Sequence, residues 1–152
     1  MSLNTDAILR CGNCRTKNRI PAAKAGQTAR CGKCGSRMET APALSGRPLM
    51  VTDRDFETQV LQSPLPVLMF CWATWCPTCS QVAPIMDQLA AEWLGRVRVA
   101  KVNVDQSPMI AARFQVRSVP FLFVFDNGQL KESMVGALPK SEIAAKVSKY
   151  FY

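Results

Sequence analysis

The spacing of apolar and polar residues changes at about residue 49. Before that point large apolar side chains are sparse, and residues 1–40 are too few and too polar to bury a core without a metal or a crosslink. Residues 41–48 have the Pro, Gly and Ser content of a linker. We therefore predict a small module at 1–40, a linker at 41–48 and one larger domain at 49–152.

The larger domain alternates helical and strand patterns. An unbroken apolar run at 67–73 is typical of a central strand that is buried on both faces. Strand patterns follow at 97–104, 121–125 and 129–135, and helical patterns begin near 52, 76, 107 and 139. This order predicts an α/β domain in which a mixed sheet of four to five strands is flanked by helices.

Short motifs mark the ends of several predicted elements. Residues 52–55 have the pattern of a capping box, which begins a helix. Ser107-Pro108 fits a helix N-cap followed by a first-turn proline. Asn127-Gly128 is a strong signal for a two-residue hairpin turn between the last two strands.

The net charge of +8 is concentrated in the N-terminal part, where residues 1–48 carry nine lysines and arginines against Asp6 and Glu39. Such an excess attracts acidic partners or nucleic acid, or simply keeps a small module solvated. The basic residues at 15–37 lack interleaved aromatic side chains on which bases could stack. We therefore expect no nucleic-acid partner.

The chain contains no apolar stretch of the roughly 18 residues that a membrane-spanning helix needs. Its first residues lack the basic and apolar regions of a secretory signal. We therefore expect a cytoplasmic protein without a membrane partner. That compartment keeps thiols reduced, which favours metal binding or redox chemistry over structural disulfides for the seven cysteines.

Four cysteines form two matched Cys-x-x-Cys units, Cys11 with Cys14 and Cys31 with Cys34. This spacing is typical of a zinc ribbon, because tetrahedral Zn²⁺ takes four ligands and each turn supplies two adjacent sulfurs. Four sulfurs leave no open position, so we predict one structural Zn²⁺ and no organic cofactor. Two redox pairs, an iron centre and an unfolded metal-free segment are the alternatives.

A third unit, Cys76 to Cys79, stands where the strand at 67–73 gives way to a helix. A thiol at a helix N-terminus meets unpaired N–H groups and the positive end of the helix dipole, which favour the thiolate. Residues three apart on a helix face each other, so Cys79 can attack a mixed disulfide formed at Cys76. A pair of structural cysteines is the alternative.

These motifs resemble those of a known family. Residues 49–152 resemble a thioredoxin in the segments 70–79, 82–85, 101–105, 116–120, 126–128 and 135–138. With the four-cysteine module in front, the whole chain resembles the zinc-binding bacterial thioredoxins of the thioredoxin 2 type.

The resemblance implies a thioredoxin fold and a protein thiol–disulfide oxidoreductase. Cys76 would be its attacking cysteine and Cys79 the buried resolving one, and Trp75 would be a flat apolar docking surface. Val119 would precede a cis-proline, Pro120, opposite the disulfide. The resemblance also implies a monomer that is recharged by an NADPH-dependent thioredoxin reductase.

Two departures from the family bear on the redox site. The dipeptide between the cysteines is Pro77-Thr78 where the family usually has Gly-Pro, and it should tune the reduction potential. The family's buried carboxylate aligns with Phe70, while its usual neighbour Lys101 is present. We therefore expect slower resolution by Cys79, or proton transfer through water or Lys101.

Three functions remain open on the sequence alone. The first is an enzyme that reduces protein disulfides. The second uses the same cysteine pair, at an atypical potential, as an oxidant or isomerase. The third is a zinc-dependent, redox-sensitive binding or chaperone module that uses the larger domain as a scaffold, and the uneven charge motivates it.

Overall fold

The central element of the computed structural model, which describes residues 5–152, is a mixed five-stranded sheet. Its strands are β5 (Leu49–Met50), β6 (Val67–Trp72), β7 (Arg98–Asn103), β8 (Phe121–Asp126) and β9 (Gln129–Val135), in the spatial order β5-β7-β6-β8-β9. β6 pairs in parallel with β7 and antiparallel with β8. The expected mixed sheet is confirmed, and the two-residue β5 is an edge strand too short to show an alternating pattern.

Helices cover both faces of this sheet. They are α1 (Cys79–Glu92), α2 (Pro108–Arg113) and α3 (Lys140–Val147), with a single wide turn at Glu57–Leu61. One apolar cluster joins α1 and α3 to the face that carries Leu68 and Phe70. A second cluster joins the 57–61 turn and α2 to the opposite face, which carries Met69 and Cys71. Residues of β6 are therefore buried on both sides, as the unbroken apolar run predicts.

The helix of the redox motif begins later than the sequence pattern suggests. The pattern becomes helical at Cys76, whereas α1 begins at Cys79. Pro77 accounts for the difference, because the residue before a proline is disfavoured in the helical conformation. Cys76 therefore lies in the turn between β6 and α1, and Cys79 is the first helical residue.

Of the motifs that predicted the ends of elements, the hairpin turn fits the structure and the N-cap hydrogen bond of Ser107 does not form. Asn127 and Gly128 take φ values of 52° and 76°, which fits the two-residue hairpin turn between β8 and β9. Ser107 stands at the N-cap of α2, but its side chain makes no capping hydrogen bond. The carboxylate of Asp53 caps this helix instead, accepting hydrogen bonds from the N–H groups of Met109 (3.0 Å) and Ile110 (2.9 Å).

Two antiparallel hairpins precede the sheet. The first pairs β1 (Ala7–Arg10) with β2 (Lys17–Ile20), and the second pairs β3 (Thr28–Arg30) with β4 (Arg37–Glu39). Each hairpin carries one cysteine pair in its turn. We call this unit the ribbon, residues 5–40. The first four residues, on which the expected absence of a secretory signal rests, lie outside the described part of the chain.

The ribbon is packed against the start of β6. The Arg10 N–H donates to the carbonyl of Pro64 (2.8 Å). The Arg15 guanidinium donates to the carbonyls of Gln62 (3.1 Å) and Ser63 (2.9 Å) and to the side-chain oxygen of Asn127 (2.9 Å). These bonds hold the ribbon against the end of the sheet where β6 begins.

Residues between the ribbon and the sheet are packed rather than extended. Ala41–Leu44 forms one helical turn, and Ala43 and Leu44 are buried in an apolar cluster with Leu65 and ribbon residues such as Leu9. This cluster joins the ribbon to the larger domain. The division into 1–40, 41–48 and 49–152 stays a prediction.

Candidate redox and metal sites

Cys76 and Cys79 form a disulfide at the carboxyl end of β6. Their Cα atoms are 5.4 Å apart. Cys76 is 7 % exposed and Cys79 is 4 % exposed, so the bond lies just under the protein surface. The turn at 73–78 presents the first sulfur, and the first residue of α1 supplies the second.

Three polar groups surround the sulfur of Cys76. The backbone N–H of Cys79 stands in the first turn of α1, where N–H groups have no acceptor within the helix. It lies 3.2 Å from the Cys76 sulfur. The Thr78 hydroxyl lies 3.4 Å away, and the carbonyl oxygen of Val119 lies 3.5 Å away. The N–H and the hydroxyl can donate to a thiolate at Cys76, whereas the carbonyl can only accept from the thiol. The first two contacts therefore favour the thiolate form.

The surface beside the disulfide combines an exposed indole with the loop before β8. Trp75 is 64 % exposed, and its indole N–H donates to the Asp105 carboxylate at 2.9 Å. Val119 and Pro120 are joined by a cis peptide bond next to Cys76. The anchoring residue Asp105 was not predicted from the sequence, because it lies 30 positions from Trp75.

Behind the disulfide lies a cavity of about 300 Å³. Its walls are mainly apolar, and its lining residues are Met50, Phe70, Trp72, Ala73, Thr74, Cys76, Cys79, Ser80, Ala83 and Lys101. Phe70 is 1 % exposed and is the register partner of Lys101 across the β6–β7 pair. The ammonium of Lys101 pairs with Asp87 of α1 (3.3 Å), a partner that the sequence did not indicate.

The four cysteines of the two N-terminal Cys-x-x-Cys units come together in the ribbon. The sulfurs of Cys11, Cys14, Cys31 and Cys34 all lie within 4.8 Å of one another. The Cys11–Cys34 and Cys14–Cys31 sulfur pairs are each 3.6 Å apart. Tetrahedral zinc, with Zn–S bonds of about 2.3 Å, requires about 3.8 Å between sulfurs. The donor set and its spacing therefore fit a metal ion.

The two cysteine turns repeat one hydrogen-bond pattern. The N–H of the residue after each pair donates to the carbonyl of the first cysteine, from Arg15 to Cys11 (3.0 Å) and from Gly35 to Cys31 (2.9 Å). Both donor residues have a positive φ, 66° for Arg15 and 76° for Gly35. The repeated geometry directs each pair of sulfurs to the same side of its turn.

Hydrogen bonds to the sulfurs favour thiolates in the second turn. The backbone N–H of Cys34 and the side-chain amide of Asn18 lower the pKa of Cys31 to about 7. Hydrogen bonds from Ser36 and from the amide of Asn13 lower the pKa of Cys34 to about 5. Because thiolates are the form that binds metals, these contacts prepare the cluster for an ion.

Cys71 is chemically separate from both sites. It is fully buried in β6, and this burial raises its pKa to about 12. At neutral pH it is therefore a thiol without significant thiolate character and is chemically inert.

Taken together, a β/α turn that presents a Cys-x-x-Cys disulfide beside an exposed indole defines a thiol–disulfide oxidoreductase. Comparison with known proteins agrees. The profile of the family described as "Thioredoxin" matches residues 47–149, and that of "Thioredoxin 2, N-terminal" matches residues 10–36. The chain belongs to the thioredoxin family and carries in front of that domain a four-cysteine cluster that fits a zinc ribbon.

Individual relatives match the larger domain. "Thioredoxin" of Haemophilus influenzae is 42% identical over 102 residues, which are 67% of this chain and 95% of that protein. "Thioredoxin 1" of Synechococcus elongatus is 42% identical over 100 residues, 66% of this chain and 94% of that protein. "Thioredoxin M5, chloroplastic" of rice is 41% identical over 102 residues, 67% of this chain but only 59% of that longer protein.

In the described part of the chain no helix is long and apolar enough to cross a membrane.

Proposed function

We propose that Cys76 attacks the disulfide of a protein substrate and that Cys79 resolves the mixed disulfide. The observation that carries this assignment is the N–H of Cys79 at 3.2 Å from the Cys76 sulfur, because it stabilises a thiolate there. The bond is near the surface on the side of Trp75 and Val119, where a substrate can approach. Cys79 lines the cavity behind the bond.

The exchange proceeds in two steps. The Cys76 thiolate forms a bond to one substrate sulfur, and the substrate disulfide breaks to release a thiolate that takes up a proton. Cys79 loses its proton and attacks the Cys76 sulfur, which releases the second substrate thiol. The substrate is reduced by two electrons, and the protein is left with the Cys76–Cys79 disulfide.

Trp75 and the 119–120 segment provide the docking surface in this proposal. The Trp75 indole is fixed by Asp105 and leaves a large apolar area open to solvent. Pro77 and Thr78 lie between the two cysteines and, through the Thr78 hydroxyl at 3.4 Å, influence the stability of the Cys76 thiolate. Together these residues border the sulfur that a substrate must reach.

Reduction of insulin by dithiothreitol, followed as turbidity, tests the assignment. We expect Cys76→Ser to abolish catalysis and Cys79→Ser to lower it strongly. In a separate incubation of the reduced Cys79→Ser chain with insulin and no dithiothreitol, we expect a covalent Cys76–substrate adduct that mass spectrometry detects. Cys71→Ser is the matched control, because the same substitution is made at a buried thiol outside the site. Full activity of Cys76→Ser would overturn the proposal.

We further infer that the ribbon holds one structural Zn²⁺ through Cys11, Cys14, Cys31 and Cys34. Four sulfurs complete a tetrahedral shell, and a closed shell is typical of structural rather than catalytic zinc. The ion would crosslink the two hairpins, which are otherwise too small to be stable alone. Native mass spectrometry and metal analysis of the full chain would identify the ion and its stoichiometry.

The compartment, the oligomeric state and the reductase that recharges the chain are also part of the proposal. We infer a cytoplasmic monomer, with units at 1–40 and 49–152 joined by 41–48, that an NADPH-dependent thioredoxin reductase recharges. The proposed four-thiolate zinc site supports a reducing compartment, because its cysteines must stay reduced to bind the ion. Coupled oxidation of NADPH with a thioredoxin reductase, and the mass of the chain in solution, test the partner and the monomer.

A further inference from the structure

A groove of about 360 Å³ runs between the two hairpins of the ribbon. Its walls are residues 18–21, which belong to β2 and the turn after it, residues 28–30 of β3, and Lys24 from the segment that joins these strands. The groove is therefore built from the ribbon alone, and none of the residues that line it is a cysteine.

Consecutive residues of both strands line the groove. Side chains of a β-strand alternate between two faces, so a groove over one face would touch every second residue. Contact with residues 18–20 and with residues 28–30, each without a gap, indicates instead that the groove follows the edges of the strands. Within the described residues β2 pairs only with β1, and β3 only with β4. Each strand therefore presents one free edge with backbone groups that another strand can bind.

The groove is positively charged. Arg19, Lys24 and Arg30 line it, and no acid is among its described lining residues. The Arg30 guanidinium donates to the carbonyl of Gly35 (3.2 Å), a neutral partner that leaves its charge uncompensated. Arg19 pairs with Asp6 at 3.2 Å, but both side chains are exposed, so water screens this pair and a competing carboxylate can replace it.

The positive charge of the ribbon remains when the cysteine cluster holds a metal ion. Eight lysines and arginines of residues 5–40 stand against two acids, Asp6 and Glu39. Four thiolates around one Zn²⁺ offset only part of this excess. An anionic partner is therefore attracted to the zinc-loaded ribbon as well.

Charge and shape together select the occupant. A second copy of this chain would bring the same cations to the groove, and basic side chains at a strand edge are a common protection against such pairing. An extended segment with acidic side chains instead meets opposite charges and can form backbone hydrogen bonds with the edge. A nucleic acid fits less well, because the described lining residues include no aromatic ring on which a base could stack.

We propose that the groove between β2 and β3 binds an extended acidic segment of a partner protein. The segment adds to one of the free strand edges through backbone hydrogen bonds, and Arg19, Lys24 and Arg30 contact its carboxylates. The ribbon is bound at the start of β6, whereas the disulfide follows the end of that strand, so a bound partner leaves Cys76 accessible. Binding involves no redox step, and the inference is independent of the proposed function.

Binding of a synthetic peptide to the zinc-loaded full chain tests the inference. The probe is a fluorescein-labelled peptide of alternating glutamate and valine, followed by fluorescence anisotropy. We expect saturable binding that weakens as the salt concentration rises, because exposed charges are screened. The same peptide with lysine in place of glutamate should not bind. Absence of binding by the acidic peptide at low salt would overturn the inference.

Substitutions in the groove locate the site. We expect Lys24→Gln to raise the dissociation constant about threefold, and Arg19→Gln combined with Lys24→Gln to raise it about tenfold. Lys33→Gln is the matched control, because this exposed lysine of the second cysteine turn does not line the groove. Equal effects of Lys24→Gln and Lys33→Gln would show that the peptide responds only to the net charge, and the groove would be the wrong site.

A gain of affinity separates the loss of a contact from the loss of the fold. The Asp6 carboxylate accepts a hydrogen bond from the N–H of Ala22 (3.0 Å) and partly neutralises Arg19. Asp6→Asn keeps the acceptor but removes the charge, so we expect it to lower the dissociation constant. A misfolded ribbon could not produce this gain, and a weaker affinity of Asp6→Asn would contradict the proposed role of Arg19.

Backbone pairing is tested with a second peptide of the same sequence in which two adjacent central residues are methylated on their backbone nitrogens. Two adjacent methyl groups block both edges of the peptide but leave its charge unchanged, so we expect much weaker binding. Equal affinity of the two peptides would overturn the strand addition. Equal or tighter binding of single-stranded DNA of the same charge would overturn the choice of an acidic protein segment and identify a general anion surface.

Discussion

Phe70 places an aromatic ring on β6 opposite Lys101 in the strand register, and this ring is one of the apolar side chains that line the cavity behind the disulfide. The resemblance to the family identified the unusual residue, because the motif around Cys76 fixes the alignment of the strand. It could not identify Asp87, since that contact joins β7 to a residue of α1 fourteen positions earlier in the chain. Whether Lys101 is free or paired is decided by the packing of these two elements.

Replacing Phe70 by aspartate tests this position directly. We expect Phe70→Asp to accelerate resolution by Cys79 between pH 6 and 9, because a buried carboxylate facing Lys101 can accept the proton. The loss of a buried ring should lower the free energy of unfolding by about 3 kcal/mol. Stopped-flow fluorescence and urea unfolding measure the two effects.

Phe70→Leu is the control for the lost aromatic volume. It removes ring atoms without adding an acid, so we expect it to leave the pH dependence of resolution unchanged. If Phe70→Asp resolves the mixed disulfide at the same rate as Phe70→Leu over this pH range, the missing acid does not limit the reaction.

At the scale of elements, local motifs predicted most boundaries and long-range contacts decided the others. The hairpin turn at Asn127-Gly128 depends on two adjacent residues and is confirmed. The N-cap bond of α2 comes from Asp53, more than fifty positions before the N–H groups that it accepts. Periodicity describes only neighbours in sequence, so it cannot predict such a cap.

Arg15 has an unfavourable backbone conformation, but its side chain makes long-range hydrogen bonds. Its φ of 66° is a conformation that suits the glycine found at the matching position, Gly35, in the second cysteine turn. The arginine is nonetheless present, and its guanidinium makes three hydrogen bonds to the larger domain. We interpret it as the residue that fastens the ribbon to the start of β6.

We expect Arg15→Ala to lower the free energy of unfolding by about 1–3 kcal/mol, because three carbonyl acceptors lose a charged donor. Arg15→Gly should cost about 1 kcal/mol less, since glycine fits the positive φ. Urea unfolding measures both. Arg37→Ala, at an exposed ion pair within the second hairpin, is the control and should change little. Equal stability of Arg15→Ala and the native chain would contradict the fastening role.

At the scale of the whole molecule, the ribbon and the disulfide lie at opposite ends of β6. Ribbon residues bind the carbonyls of Gln62, Ser63 and Pro64, just before the strand begins, whereas the disulfide follows its last residue. A strand of this length spans about 20 Å. The cysteine spacings predicted the two clusters, but the docking of the ribbon depends on side chains that carry no motif. Arg15 is one of them, and Tyr152 is another, since its hydroxyl accepts a hydrogen bond from the Arg10 guanidinium (2.7 Å).

Removing the metal should therefore affect the ribbon and the redox site differently. We expect chelation under reducing conditions to abolish the protection of ribbon amides from hydrogen exchange, since the hairpins lose their crosslink. Insulin reduction should be largely retained, because Cys76 and Cys79 lie far from the ribbon. Hydrogen exchange and the insulin assay are run on the same sample, with the re-zincked protein as control. Loss of reduction that returns with zinc would show that the ribbon controls the redox site.

The reduction potential of the Cys76–Cys79 pair tests the central claim most directly. The full zinc-loaded chain, with Cys71 replaced by serine, is equilibrated in glutathione buffers, and the oxidised fraction is measured by mass after alkylation. A protein that reduces disulfides should have a potential of about −270 mV, the value typical of thioredoxins. A value at or above about −180 mV would contradict that claim and indicate an oxidant or isomerase.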